Sequence, residues 1–359
     1  MISVEEAIRI ILRQISPLPG EEVPLIQAGG RLLFENVRAH RNVPPFSNSA
    51  MDGYAVRWRD VDQASVSNPV TLRVMEDVPA GYVAKHRVTM GNAIRIMTGA
   101  PVPGGADTIV RVEYTESIGN QVRISKVDGQ GSHIREAGED IQRGQTILEK
   151  GRFLTSADVG LLASVGKSRV RVYRRPTVAI ISTGDELLEV DDPPRPGKIV
   201  NSNSYTLSAA VQEIGAVPHL LGIVRDKRKS LASAFKRALR YDVVIASGGV
   251  SVGDYDLVKG ALVDVGVRMA LWKVAQKPGH PFAFGHMGNK PVFGLPGNPV
   301  SSAVTFLLYA RPGLLKMMGY RSFFLPVIQA TLEHEIKKSK GLKEFIRCRL
   351  RDVDGRSLA

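Results

Sequence analysis

Residues 241–256, YDVVIASGGVSVGDYD, constrain the fold of this chain more tightly than any other stretch. An apolar, β-branched run of Val243, Val244 and Ile245 meets a glycine-rich turn, Gly248, Gly249 and Gly253, that ends in the carboxylates Asp254 and Asp256. This pattern is a strand feeding a loop built for close approach. Glycines let backbone N–H groups converge on a ligand without intervening side chains, and the helix that follows points its positive end at the same spot. Such a cradle suits a phosphate or another oxyanion. Two acids beside it imply a divalent cation between them or a proton to be moved, because unscreened like charges would repel the ligand. Taken alone, Gly-Gly and Gly-Asp are equally consistent with ordinary turn punctuation. A second glycine-rich stretch, FGLPGNPVSS over residues 293–302, echoes the first.

The sequence before this stretch alternates strand and helix. A strand over 178–182 opens onto Thr183, Gly184, Asp185 and Glu186, and a helix over 205–214 ends at Gly215. A strand over 220–224 opens onto Arg225 and Asp226, and a helix over 231–239 precedes the central strand. The interval predicts a parallel, doubly wound sheet, with ligands at the carboxyl ends of its strands. That rule puts Asp185, Glu186, Asp226 and residues 247–256 and 296–301 on one rim. A single acidic loop is usually a helix cap, but several on one rim with two glycine turns point to a site. Between the glycine turns, Lys273 and Lys277 flank an apolar strand and a Pro-Gly turn, followed by His280. At least one lysine projects towards the rim as an anion contact unless both are solvated surface charges, and His280 is either a donor to that anion or structural. A helix over 300–309 follows, and the tail over 326–359 shows strand-like alternation over a length short for a domain.

The first half reads differently. Ser3 and Glu6 have capping-box spacing, and Val4, Ala7, Ile8, Ile11, Leu12 and Ile15 recur at helical intervals until Pro17 and Pro19-Gly20 stop the helix. Residues 42–57, NVPPFSNSAMDGYAVR, form a second landmark: prolines stiffen the approach, Ser47, Asn48 and Ser49 offer short hydrogen-bonding groups, and Asp52-Gly53 makes a turn that exposes a carboxylate. A hairpin turn whose polar groups satisfy only backbone is the alternative. Short alternating runs at 72–75, 93–97, 107–112 and 121–124 predict an inserted β domain. Within it, MTGAPVPGGAD over 97–107 gathers Gly and Pro around Thr98. A short helix is expected over 156–164.

Length and composition bound the function. At 359 residues, two to four domains are expected, and no apolar run approaches the ~20 residues needed to cross a bilayer. The first 14 residues read as an amphipathic helix, not a targeting signal. The one cysteine, Cys348, excludes an internal disulfide framework and a multi-cysteine metal site, fits a reducing cytoplasm, and is expected to be a small packed residue. A net charge of +13 suggests an anionic partner. With 6% aromatic residues and no finger or RNP-type spacing, a dedicated nucleic-acid module is disfavoured.

Six segments in this order, PFSNSAMDGYA (45–55), MTGAPVPGGAD (97–107), STGDEL (182–187), SGGVSVGDYD (247–256), KPGHPFAFG (277–285) and GLPGNPVS (294–301), resemble the MoeA/gephyrin E-domain family, the molybdopterin molybdenumtransferases. The resemblance runs over nearly the whole chain. It implies a multidomain α/β protein: residues 1–44 and 141–174 as a linker and dimerisation domain with helical and extended parts, 45–140 as the inserted β domain, 175–322 as the doubly wound molybdopterin-binding domain, and 323–359 as a short C-terminal β domain, incomplete relative to the family. It further implies a cytoplasmic homodimer without membrane or nucleic-acid partners. Such an enzyme takes adenylylated molybdopterin, supplied by a molybdopterin adenylyltransferase, inserts molybdate and releases AMP with the help of Mg²⁺.

By the same correspondence, Asp52 and Thr98 from one subunit complete a cleft formed by Glu186, Asp226, Lys273 and Lys277 of the other. Asp254 and Asp256 handle metal and phosphate; Ser247, Gly248, Gly249 and Ser251 hold phosphate; Pro296, Gly297, Asn298, Ser301 and His280 complete the cofactor and oxyanion contacts, together with Lys277. Two departures remove positive charge: the family's KPGKP reads KPGHP, with His280 in place of lysine, and Leu342 stands where a GRxEFxR-like motif has arginine. Lys340 or Lys343 would compensate; otherwise the chain prefers another oxyanion such as tungstate, or is a cofactor carrier or scaffold without turnover. A nucleic-acid binder driven by net charge is a third reading, marked by steep salt dependence.

Overall fold

A strand buried on both faces must be apolar at consecutive positions, and the centre of the doubly wound sheet is built from such strands. The computed structural model describes residues 1–249, 255–353 and 356–359, the side chains of Tyr255, Asp256 and Arg356 excepted. It divides into two compact units, one of residues 1–22, 30–34 and 171–359, the other of residues 23–29 and 35–170.

The first unit contains helix α1 (Val4–Arg13), strand β1 (Thr177–Thr183), α2 (Ser202–Glu213), β2 (Val217–Val224), α3 (Arg228–Ala238), β3 (Val243–Ser247), α4 (Tyr255–Asp264), β4 (Arg268–Leu271), β5 (Ala283–Met287), β6 (Lys290–Leu295), α5 (Pro299–Thr305) and α6 (Arg311–Met317). One sheet runs in the order β2-β1-β3-β6-β5-β4. Alternate residues of β1 and β3 go to opposite layers. Val178, Ile180, Val243 and Ile245 pack with Leu207 and Val211 of α2 and with Phe306 and Leu314. Ala179, Ile181, Val244 and Ala246 pack with Leu231 and Phe235 of α3 and with Val258 and Leu262 of α4. Helices on both faces make the sheet doubly wound, as the pattern predicts.

The details correct the sequence reading in several places. The sheet is not wholly parallel: β2, β1, β3 and β6 are parallel, but β5 runs antiparallel to both β6 and β4. The connection from β5 to β6 is a tight Gly288-containing turn, which permits only a hairpin. No apolar strand runs between Lys273 and Lys277: Val274 makes a single bridge to Ile2, and Gln276–Lys277 pairs with Lys343–Glu344. The expected helix over 300–309 continues as α5, a wider π-type turn over Phe306–Ala310, and α6, with Pro312 placed in the first turn of α6 where its missing N–H costs least. By its contacts Met1–Glu22 falls in the doubly wound unit, whereas the resemblance groups residues 1–44 with 141–174. Ser3 caps α1 through the Glu6 N–H (3.1 Å), and the buried stripe Val4, Ala7 and Ile11 joins the α2-side core. Cys348 is exposed, not packed, because the tail around it buries little.

In the second unit the strands Thr108–Arg111, Gly53–Val56, Asn92–Ile96, Val70–Val78, Gln121–Ile124 and Thr115–Ile118 form one sheet in that order. Its cores lie on both faces, around Tyr54, Val56 and Val110 on one and Ala55, Ile94 and Ile109 on the other. Residues 156–164 form the expected helix, closed by a reciprocal capping box of Thr155 and Asp158.

At the amino ends of β1 and β3, Asp242 accepts two bonds from the Arg174 fork (2.7 Å each) and two from the Thr177 N–H and hydroxyl (2.8 Å each). Burial alone would raise the Asp242 carboxyl, but these four donors outweigh it and hold the pKa at about 2. A depressed carboxylate stabilises the fold above its ordinary pKa near 4 and ceases to do so as pH falls from there towards 2. Allowing for the solvent that reaches this pair, Asp242→Asn should cost ~1–2 kcal/mol at pH 7 in urea unfolding and flatten the loss of stability between pH 4 and 2. Identical acid limbs for variant and wild type would refute this account.

Candidate functional site

The carboxyl ends of β1, β3 and β6 meet the amino ends of α2 and α5 around a cavity of about 320 Å³. Its floor is polar: Ser182 and Thr183 from β1, Asn201 and Asn203 from the start of α2, Ser247 and Gly248 from β3, and Gly297 and Asn298 before α5. Leu187, Ile199 and Val200 supply an apolar side from two short paired strands, Leu187–Leu188 and Ile199–Val200.

The floor is fixed by its own hydrogen bonds. The Ser182 hydroxyl lies 2.8 Å from Asn201 Oδ1 and 2.7 Å from the Ser204 hydroxyl. Asn203 Nδ2 donates to Ser247 Oγ and to the Gly297 carbonyl, both at 2.8 Å, and so ties the two glycine turns together. Asn298 caps α5, accepting from the Val300 and Ser301 N–H groups at 3.0 and 3.2 Å. Thr183 is 1% exposed, and among the described residues its hydroxyl has no hydrogen-bond partner although it lines the cavity. Buried hydroxyls are rarely left so.

Gly248 is required by close approach. Its φ is +94°, and a Cβ there would stand 2.3 Å from the Thr183 carbonyl oxygen. Gly249, at φ +63°, would bring a Cβ within 2.6 Å of the Thr183 hydroxyl. The first glycine turn thus lies against the end of β1.

Of the residues singled out by sequence, Glu186, Ser247, Gly248, Gly297 and Asn298 line this cavity. Pro296, buried in the second glycine turn, and Ser301, in the first turn of α5, flank the lining residues in sequence. Lys273, Lys277 and His280 do not line it, but strand register brings them to the same end of the sheet, since β4 ends at Leu271 opposite Phe284 and β5 begins at Ala283 opposite Gly294. The KPGHP turn packs on α5: a Cβ on Gly279 would meet the Thr305 side chain at 2.6 Å. Below it, Gln276 accepts from the Tyr309 hydroxyl, and Tyr309 stacks on Phe282 at 4.3 Å. His280 Nδ1 donates to the Val274 carbonyl at 2.9 Å, which fixes the ring. Lys277 Nζ lies 3.9 Å from Glu344, and Lys343 pairs with Glu5, so Lys343 is not a free replacement for the cation missing at Leu342. Asp226 follows the end of β2, outside the cavity lining. Ser251, Asp254 and the side chain of Asp256 lie outside the described residues. No cluster of three or more metal-ligating side chains occurs among the described residues.

The second unit holds Asp52 and Thr98 in one constellation. Asp52 Oδ1 accepts from both the Thr98 N–H and the Thr98 hydroxyl at 2.7 Å. Those two bonds, the backbone one foremost and Arg95 last, keep the Asp52 carboxyl below the usual aspartate range. Gly53 is obligatory here, because a Cβ would fall 2.0 Å from the Val110 carbonyl oxygen.

A family model described as the MoeA N-terminal region (domain I and II) matches residues 2–166, and one described as a probable molybdopterin binding domain matches residues 179–316. The chain belongs to the MoeA family. Among its relatives, the molybdopterin molybdenumtransferase of Nostoc is 39% identical across 99% of this chain and 84% of its own length. The molybdopterin molybdenumtransferase 2 of Mycobacterium tuberculosis is 40% identical across 97% of this chain and 87% of its own. The crystal structure of a molybdopterin biosynthesis MoeA protein from Pyrococcus horikoshii matches with a TM-score of 0.82 at 32% identity, over 97% of this chain and 90% of that one. These matches bear out the family and the fold class read from the motifs.

Sequence reasoning missed Asn201, Asn203 and Ser204. The expected helix starts at residue 205, but Asn201 caps it through the Ser204 N–H, which extends the helix to Ser202 and turns the polar run onto the floor. The signal was present as Asn followed by Ser three positions later ahead of an apolar periodicity. Gly248→Ala should destabilise the protein by at least ~2 kcal/mol, because it combines a left-handed φ with a backbone clash. Gly297→Ala should stay within ~0.5 kcal/mol, as its Cβ would meet nothing nearer than 3.6 Å. Equal urea midpoints for the two variants would contradict this geometry.

Proposed function

We propose that this chain is a molybdopterin molybdenumtransferase that acts in molybdenum cofactor biosynthesis, inserting molybdate into adenylylated molybdopterin with release of AMP. The observation that carries the reading is the polar cavity at the carboxyl ends of β1, β3 and β6, bordered by the close-packed Gly248 turn, in a chain whose relatives bear that name. A substrate with phosphates and a flat ring system matches a floor of hydroxyls and side-chain amides beside an apolar side of Leu187, Ile199 and Val200.

In this reading the glycine turn of Gly248 and Gly249, with Ser247 and Ser251, binds phosphate, the Gly248 N–H being spent on the Leu295 carbonyl at 3.1 Å, while Asn203 holds both glycine turns at fixed separation. Pro296, Gly297 and Asn298 shape the opposite wall, and Lys273, Lys277, His280 and Ser301 contribute from the oxyanion side. Glu186 and Asp226 border the reacting region. Asp254 and Asp256 would hold a divalent cation, Mg²⁺ by the family resemblance, which when bound polarises the phosphate anhydride. The oxygen-only donors of those two side chains suit such a hard cation. Asp52 and Thr98 complete the cleft from a second copy in a homodimer, and a molybdopterin adenylyltransferase supplies the substrate in the cytoplasm.

A tungstate-preferring variant, or a carrier without turnover, draws support from one feature: His280 commits Nδ1 to the Val274 carbonyl and leaves only Nε2 for an oxyanion. The deciding measurement is AMP release from adenylylated molybdopterin with Mg²⁺, with molybdate and tungstate titrated in parallel. Molybdate-dependent release, reduced at least ~100-fold in Asp254→Asn, is expected. Tight substrate binding without release would overturn the enzyme reading in favour of a carrier. Thr183→Val, which keeps shape and removes the unpartnered hydroxyl, should leave the Tm within a few degrees and weaken substrate binding about tenfold. A large drop in Tm with unchanged affinity would assign that hydroxyl to the fold.

A further inference from the structure

His133 is the only non-glycine residue with a left-handed backbone among those described, at φ +60°. A side chain pays roughly 1–2 kcal/mol to sit there, so neighbouring contacts must hold it. Its backbone carbonyl accepts from the Ala50 N–H at 2.8 Å, and the next residues, Ile134 and Arg135, pair with Ser49 and Asn48. One flank of the loop that carries Asp52 is therefore attached to His133. The other flank is attached to Arg111, which lies opposite Gly53, and the Val112 N–H donates to the Asp52 carbonyl at 3.0 Å.

The two attachments are joined by one carboxylate. His133 Nε2 donates to Asp128 Oδ2 at 2.7 Å, and Arg111 Nε stands 3.4 Å from the same oxygen, an ion pair without a hydrogen bond. The bond from His133, more than the charge of Arg111, keeps the Asp128 carboxyl below the usual aspartate range. Arg111 is set in turn by Tyr114, with its guanidinium 4.4 Å from the ring centre and bonded to the hydroxyl. None of these residues lies in the six motifs that carry the family resemblance.

We propose that His133, Asp128 and Arg111 form a clamp whose role is to position Asp52, with Asp128 as the tie between the two segments that flank the Asp52 loop. The proposal rests on Asp52 acting in the reaction proposed above, but its structural half does not. A tie of this kind sets where Asp52 stands without touching substrate, so its loss is felt in the chemical step and not in ground-state binding. His133 pays for its backbone strain by placing a ring donor and a carbonyl acceptor on opposite sides of one residue.

The test combines amide hydrogen exchange with kinetics on Asp128→Asn, Asp128→Glu, His133→Gly and the double variant Asp128→Asn/His133→Gly. Glycine keeps the left-handed backbone and removes only the ring. In the full chain without substrate, exchange of the Ala50 amide should accelerate about tenfold in Asp128→Asn and in His133→Gly, and no further in the double variant, because both remove one interaction. In AMP release, kcat should fall about tenfold with KM within threefold, and Asp128→Glu should recover most of it. Unchanged Ala50 exchange in both single variants, or fully additive effects in the double, would overturn the clamp. Faster exchange with kcat unchanged would overturn its positioning role. Absence of any AMP release by the wild type would instead overturn the function proposed above, while the exchange result still decides whether the clamp exists.

Discussion

The contact on which the candidate cavity depends is backbone against backbone: Gly248, at the end of β3, lies so close to the Thr183 carbonyl at the end of β1 that no side chain fits between them. Parallel pairing sets the ends of β1 and β3 level, Ser182 opposite Ser247, so the chain leaving each strand must turn within the same small volume. Only a residue free of Cβ and tolerant of positive φ makes that turn. The space left between the turn, the start of α2 and the start of α5 is the cavity. Its position follows from the sheet, since four parallel strands with helices on both faces leave their carboxyl ends uncovered where the winding direction changes.

The same device recurs in the other unit. Gly53 lies against the Val110 carbonyl, which lets the Asp52 turn sit directly on a sheet strand, and a carboxylate that would otherwise move with an exposed loop is held by two bonds to Thr98. In both places precision comes from rigid strands meeting through glycine, with short polar side chains completing the geometry. Loops of this kind carry function because their supporting elements do not move.

Much of this was legible in the sequence, for identifiable reasons. The runs VVIAS and TVAIIST are apolar at successive positions because both faces are buried, and the Gly248-Gly249 turn stands out because no other residue satisfies its backbone. What escaped has physical causes too. The antiparallel β5 has the same apolar composition as its parallel neighbours, and only the tightness of the β5–β6 turn distinguishes it. The helix boundary at Ser202 was missed because Asn and Ser read equally as loop, so the Asn201 capping signal did not stand out from the polar run around it. The helix through Pro312 defeats the rule that proline ends a helix, since a π-type turn absorbs it. Asp128 and His133 left no pattern at all, because they stand five residues apart in an irregular loop, where no helical or strand period applies.

Net charge was the least informative signal. The chain carries +13, yet the cavity floor is made of serine, threonine and asparagine, with Glu186 at its border. Several cations near the rim or beneath the sheet are already matched: Arg174 to Asp242, Lys343 to Glu5, Lys277 near Glu344. Under the proposed function such a neutral floor would recognise an anion through fixed dipoles rather than bulk attraction, and such dipoles act strongly only where water is displaced and their directions are set beforehand. The buried network of Ser182, Asn201 and Ser204, with Asn203 spanning both glycine turns, sets those directions before any ligand arrives. Selectivity in such a site depends on the shape of the anion more than on its charge. Under the proposed function, the replacement of lysine by His280 in the KPGHP turn would alter the reach and geometry of one contact at this end of the sheet and would leave the cavity floor, which His280 does not line, unchanged.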